Sequence, residues 1–92
     1  MATALARHIL VKTSEEAEAI KKRLSSGSDF GKLAKKHSSC KSGRRGGDLG
    51  EVRSGQMVKV IDDVIFKKAT NQVHGPIKSQ FGFHLVEVVY RD

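Results

Sequence analysis

Residues 5–12 are a short, mostly apolar run that reads as a strand, and the strand period of two puts His8 and Leu10 on one face. The period changes at Thr13. Thr13 and Glu16 match a capping box, in which the two side chains satisfy the free backbone donors of a helix start. Ala17, Ile20 and Leu24 then follow at helical spacing until Gly27 stops the helix. Asp29 predicts the cap of a second helix whose apolar face carries Phe30, Leu33 and Ala34, with His37 one turn on. His37 reads as a half-exposed helix end, the alternative being a place in a polar network with other histidines.

Residues 38–47 form a polar, glycine-bearing loop of the kind that carries function over a rigid scaffold. Gly46-Gly47-Asp48-Leu49-Gly50 permits tight turning, and Leu49 and Val52 predict a short strand. Ser54-Gly55-Gln56-Met57 turns into a third helix with a buried stripe of Ile61, Val64 and Ile65 and with Phe66 on its flank. Asp62 and Asp63 near its start suit the helix dipole. Gly75-Pro76 breaks the chain, a short extended segment follows, and residues 81–90 predict a closing strand with His84, Val86, Val88 and Tyr90 on one face. Strands separated by helices on so short a chain predict one mixed sheet covered by helices, an α+β layer fold.

His8 and His84 thus fall among core residues in two strands near opposite ends of the chain. A buried imidazole needs a hydrogen-bond partner, because leaving it unpaired costs roughly 1–3 kcal/mol. Either the two rings bond each other, or each is a core histidine bonded to backbone.

Composition narrows the function. With 92 residues the chain is expected to be one domain over 1–92, near the lower end of what one core stabilises. It has no apolar run near the roughly 18 residues needed to cross a bilayer, so no membrane partner is expected, and it is expected to be cytoplasmic. Cys40 is the single cysteine, so no internal disulfide can form, and no Cys/His cluster has zinc spacing, so no metal site is expected. The net charge of +7 favours acidic partners or nucleic acid, but aromatics are 5% with no Trp, which leaves no stacking platform. Only weak nucleic-acid or acidic-partner association through charge is expected, and a monomer.

Five motifs occur in order across essentially the whole chain: His8-Ile9-Leu10-Val11, Asp29-Phe30-Gly31-Lys32-Leu33-Ala34, Gly46-Gly47-Asp48-Leu49-Gly50, Gly55-Gln56-Met57 and Phe81-Gly82-Phe83-His84. Together they closely resemble the parvulin-type peptidyl-prolyl cis/trans isomerases. The resemblance implies an FKBP-like α+β fold, a four-stranded sheet surrounded by helices, with a substrate groove built by the central loop and third helix. It implies that His8 and His84 are the paired histidines beneath the groove. Cys40 matches a position held by Cys or Asp, and Ser79 a Ser/Thr in the histidine cluster. Leu49 and Met57 match apolar residues of the proline pocket, and Phe81 its far wall. One departure stands out: Ile61 occupies the position where the family usually has a Phe against the proline ring, so the flat aromatic wall is lost.

The chemistry so implied needs no cofactor, metal or nucleophile, since no bond is made or broken. Cys40 is expected to act through polarity, because a position that tolerates Asp does not require a thiolate; covalent attack and a loop residue without a role are the alternatives. Phosphate-directed parvulins carry a basic cluster in a long loop after the first strand, whereas here Lys12 leads directly into Thr13. The expected substrates are therefore Xaa-Pro bonds in unfolded or flexible chains without a phosphate requirement. A peptide-binding or chaperone module with weak isomerase activity is the alternative that Ile61 keeps open.

Overall fold

The computed structural model describes residues 2–92. In chain order the elements are β1 (Thr3–Val11), α1 (Ser14–Ser25), α2 (Phe30–His37), a 3₁₀ turn (Lys41–Arg45), β2 (Asp48–Arg53), α3 (Lys59–Lys67), β3 (Val73–Ser79) and β4 (Gly82–Arg91). The four strands form one sheet in the order β2-β1-β4-β3.

Every neighbouring pair in this sheet is antiparallel, so the expected mixed sheet is corrected. The reason lies in where the helical excursion ends. After α1 and α2 the chain returns to the end of β1 that it left: Ser39 N–H donates to Leu10 O at 2.8 Å, and His8 N–H donates to Gly47 O at 2.9 Å. A strand re-entering at that end can only run back along β1.

Both helix starts follow from their caps. Thr13 Oγ1 accepts from Glu16 N–H at 3.2 Å, and Asp29 Oδ2 accepts from Lys32 N–H at 2.8 Å. Ala17 and Ile20 of α1 join Phe30, Leu33 and Ala34 of α2 over Ile9, Val11 and Leu85, forming the core on one side of the sheet. On the other side, Ile61, Val64 and Ile65 of α3 pack on Ala4, Ala6, Val52, Val86 and Val88. The small side chains of Ala4 and Ala6 belong to β1, which starts before the expected residue 5 because pairing with β2 and β4 outweighs the weak strand propensity of alanine.

Irregular pairing overrides the simple period in three places. Ala6 pairs with Val88 but Leu5 with Tyr90, leaving Val89 as a bulge. The side-chain phase of β4 flips there, so Tyr90 leaves the His84 face and is exposed, like its neighbour Leu5. Leu49 is the corresponding bulge in β2, between Asp48 opposite Arg7 and Gly50 opposite Ala6. Gly75-Pro76 does not precede the extended segment but sits inside β3, at a register shift between His74 and Ile77. An edge strand tolerates this, because proline's missing N–H can face away from the ladder.

Candidate active site

The central strands carry the histidines. His8 on β1 and His84 on β4 are each 3% exposed, and their rings stack with centroids 5.5 Å apart and planes 17° apart. Their Nδ1 atoms lie 3.4 Å apart, so of the two sequence readings the mutual pair is the one observed. Ser79 at the end of β3 extends the chain of bonds: its Oγ lies 2.6 Å from His84 Nε2 and accepts from Phe81 N–H at 3.1 Å. That hydroxyl ties the β3–β4 hairpin tip to the pair.

Burial, and after it the neighbouring His84, lowers the His8 pKa from 6.5 to about 4; burial also lowers that of His84. Both rings are therefore neutral at pH 7, and along the Nδ1–Nδ1 contact one donates and the other accepts. His8 Nε2 is buried with no hydrogen-bond partner among the described residues. His37 stands apart, with Nδ1 3.7 Å from the Glu16 carboxylate between α1 and α2, and takes no part in the pair.

Above the pair lies an apolar groove of about 360 Å³. His8, Leu10 and His84 form its sheet side, Met57, Val58 and Ile61 its α3 side, and Cys40, Gln56 and Phe81 also line it. Ile61 is fully buried and serves the α3-side core and the groove at once. Phe81, 59% exposed, stands on the two-residue hairpin loop between β3 and β4. Gly82 makes that hairpin fit: its φ is 139°, and a Cβ there would collide with Val11 O.

Cys40 is half-buried, and its sulfur accepts from the Ser42 hydroxyl at 3.4 Å rather than from an imidazole. Ser38 Oγ accepts from both Leu10 N–H at 3.0 Å and Cys40 N–H at 3.3 Å, fixing this loop to β1. Leu49 is not a lining residue: its bulge packs it, half-buried, against the α3-side core that Met57 also touches. Ser79 does not line the groove either and acts from beneath it through His84. Gln56 and Val58 also line the groove, although the sequence reading assigns neither a site role; Gln56 stands in the Gly55-Gln56-Met57 motif, and that is the available signal. Among the described residues no group of His, Cys, Asp and Glu is placed to hold a metal.

An antiparallel sheet with helices on both faces, and an apolar groove over a neutral histidine pair, define the parvulin class of domain. The chain belongs to the family described as Rotamase, the PPIC-type PPIase domain, whose model matches residues 8–89. It is 43% identical over 88 residues to the foldase protein PrsA of Geobacillus sp. (strain WCH70), covering 95% of this chain but 32% of that protein. The chain thus spans about a third of the length of this curated relative. The crystal structure of PrsA from Bacillus anthracis superposes with a TM-score of 0.95 at 35% identity, over 99% of this chain and 42% of that one. NmPin, the parvuline of Nitrosopumilus maritimus, matches at 42% identity with a TM-score of 0.86 over 96% of both chains.

Proposed function

We propose that this chain is a peptidyl-prolyl cis/trans isomerase that turns Xaa-Pro bonds in unfolded or flexible chains, without covalent chemistry and without a phosphate requirement. The observation that carries this is the apolar groove built by Met57, Ile61 and Phe81 above two neutral histidines. An Xaa-Pro bond has a trans preference of only about 0.5–1 kcal/mol, yet conjugation gives it a rotational barrier of about 18–20 kcal/mol. Catalysis requires a site that binds the twisted amide better than either planar form. Held in the groove, the ring stays fixed while the preceding residue turns. Low polarity around it disfavours the charge-separated resonance form of the planar amide, and that weakens the barrier.

Several features support the finer points. Among the described residues the Cys40 sulfur is hydrogen-bonded to the Ser42 hydroxyl and to no imidazole, which supports a non-covalent role. β1 ends at Val11 and Thr13 already caps α1, leaving no room for a basic phosphate-binding loop between them. Relatives called foldase and chaperone support unfolded proteins as the substrates. The free thiol of Cys40 fits a reducing compartment such as the cytoplasm. A peptide-binding module with weak isomerase activity is the second reading, and the aliphatic groove wall at Ile61 is what favours it.

The test compares cis/trans exchange of Leu-Pro, Glu-Pro and phosphoserine-Pro peptides with catalytic amounts of protein. Acceleration of the unphosphorylated peptides is expected. Acceleration confined to the phosphopeptide would overturn the specificity, and peptide binding without any acceleration would favour the second reading.

A further inference from the structure

The turn into α3 presents a side-chain donor at the groove that the isomerase reading leaves unassigned. In Arg53-Ser54-Gly55-Gln56, the Gln56 N–H donates to Arg53 O at 3.0 Å, and the Arg53 N–H donates to Gln56 Oε1 at 2.9 Å. A backbone N–H can only donate, so the amide atom facing it is the oxygen, and the orientation of the Gln56 side chain is fixed. The Nε2 group, with two protons to donate, has no hydrogen-bond partner among the described residues. The turn is itself anchored, since Gly55 N–H donates to Asp62 Oδ1 in the first turn of α3 at 2.7 Å. Gln56 therefore lines the groove beside Met57 with an exposed side chain whose amide the turn orients and whose NH₂ is left to solvent.

The substrate chemistry calls for such a group. Proline has no N–H, so a peptide around it offers carbonyl acceptors more readily than donors. We infer that Gln56 is a substrate-binding residue whose Nε2 donates to the carbonyl of the bound proline itself. That carbonyl is attached to the gripped ring and moves with it, not with the residue that rotates. The bond is then present in the cis, twisted and trans forms alike, and so it contributes to binding and not to the rate of rotation. It also needs nothing from the side chain before proline, which suits a general isomerase.

This inference rests on the peptide groove proposed above, and the test separates the two. Gln56→Glu keeps an oxygen for Arg53 N–H but removes the donor, while Gln56→Ala removes both. Loss of one hydrogen bond is expected to raise KM for a Leu-Pro peptide about 3- to 10-fold in both variants, with kcat unchanged. In the ¹⁵N-labelled wild-type protein, the Gln56 side-chain NH₂ signals are expected to shift on titration with the same peptide. A Glu variant matching wild type while the Ala variant is weakened would show that Gln56 only locks the turn, and would overturn the inference. Unmoved NH₂ signals in a protein that isomerises normally would overturn it too, leaving the isomerase reading intact. Signals that move without any isomerisation would uphold Gln56 and sink the isomerase.

Discussion

His8 shows how a single side chain couples the site to stability. Its pKa is lowered to about 4 by burial and by His84, whereas in an unfolded chain it titrates near 6.5. Between these values the unfolded state binds the proton and the folded state does not, so stability rises with pH across that window. Acidification from above pH 6.5 to below pH 4 should cost roughly 3 kcal/mol from this residue alone. Urea denaturation at several pH values checks it: His8→Phe should show a shallower loss between pH 6.5 and 4 than wild type. An identical slope in both proteins would contradict the assignment. Alternation along two apolar strands is enough, by itself, to place both histidines on buried faces. The Ser79 link comes from the family resemblance and not from alternation, and the turn-locked Gln56 from neither, because its hydrogen bonds form only once the turn is in place.

Among the elements, the β3–β4 hairpin has the greatest leverage over the groove, since it carries Ser79 and Phe81 and closes on Gly82. With a φ of 139° and Val11 O in the place a methyl group would take, Gly82 admits no side chain without moving the strand. Gly82→Ala should destabilise the protein by roughly 2 kcal/mol or more through backbone strain and the clash with β1. It should also weaken peptide binding, because the displaced tip carries Phe81 away. Chemical denaturation together with peptide titration would read both, and an unaltered midpoint would contradict this view of the hairpin. Helices α1 and α2 are legible in the sequence because Thr13, Asp29 and their apolar stripes are local signals. The bulges at Leu49 and Val89 are not, since a bulge is a relation between two strands and the period of one strand does not contain it. For that reason simple alternation misplaces Tyr90, and Leu49 sits at a bulge, packed on the core that Met57 and Ile61 share.

At the scale of the whole molecule, β1 and β4 lie at the centre of the sheet and contribute to the core on both sides, so the histidines sit on the stiffest part of the framework. The walls of the groove come instead from the periphery: the loop at Cys40, the α3 start and the hairpin tip. A rigid floor with peripheral walls suits a reaction in which one part of the substrate is gripped while another turns. The net charge of +7 lies mostly outside this machinery, as the groove lining contains no lysine or arginine. A net positive charge in general favours the approach of anionic groups, and salt screens that effect. The most direct test of the central claim is NMR exchange spectroscopy of a Leu-Pro peptide with substoichiometric protein. Faster cis/trans exchange with wild type, largely lost in a folded Met57→Ala variant, is the predicted result. Exchange no faster than in buffer, with the peptide demonstrably bound, would contradict it.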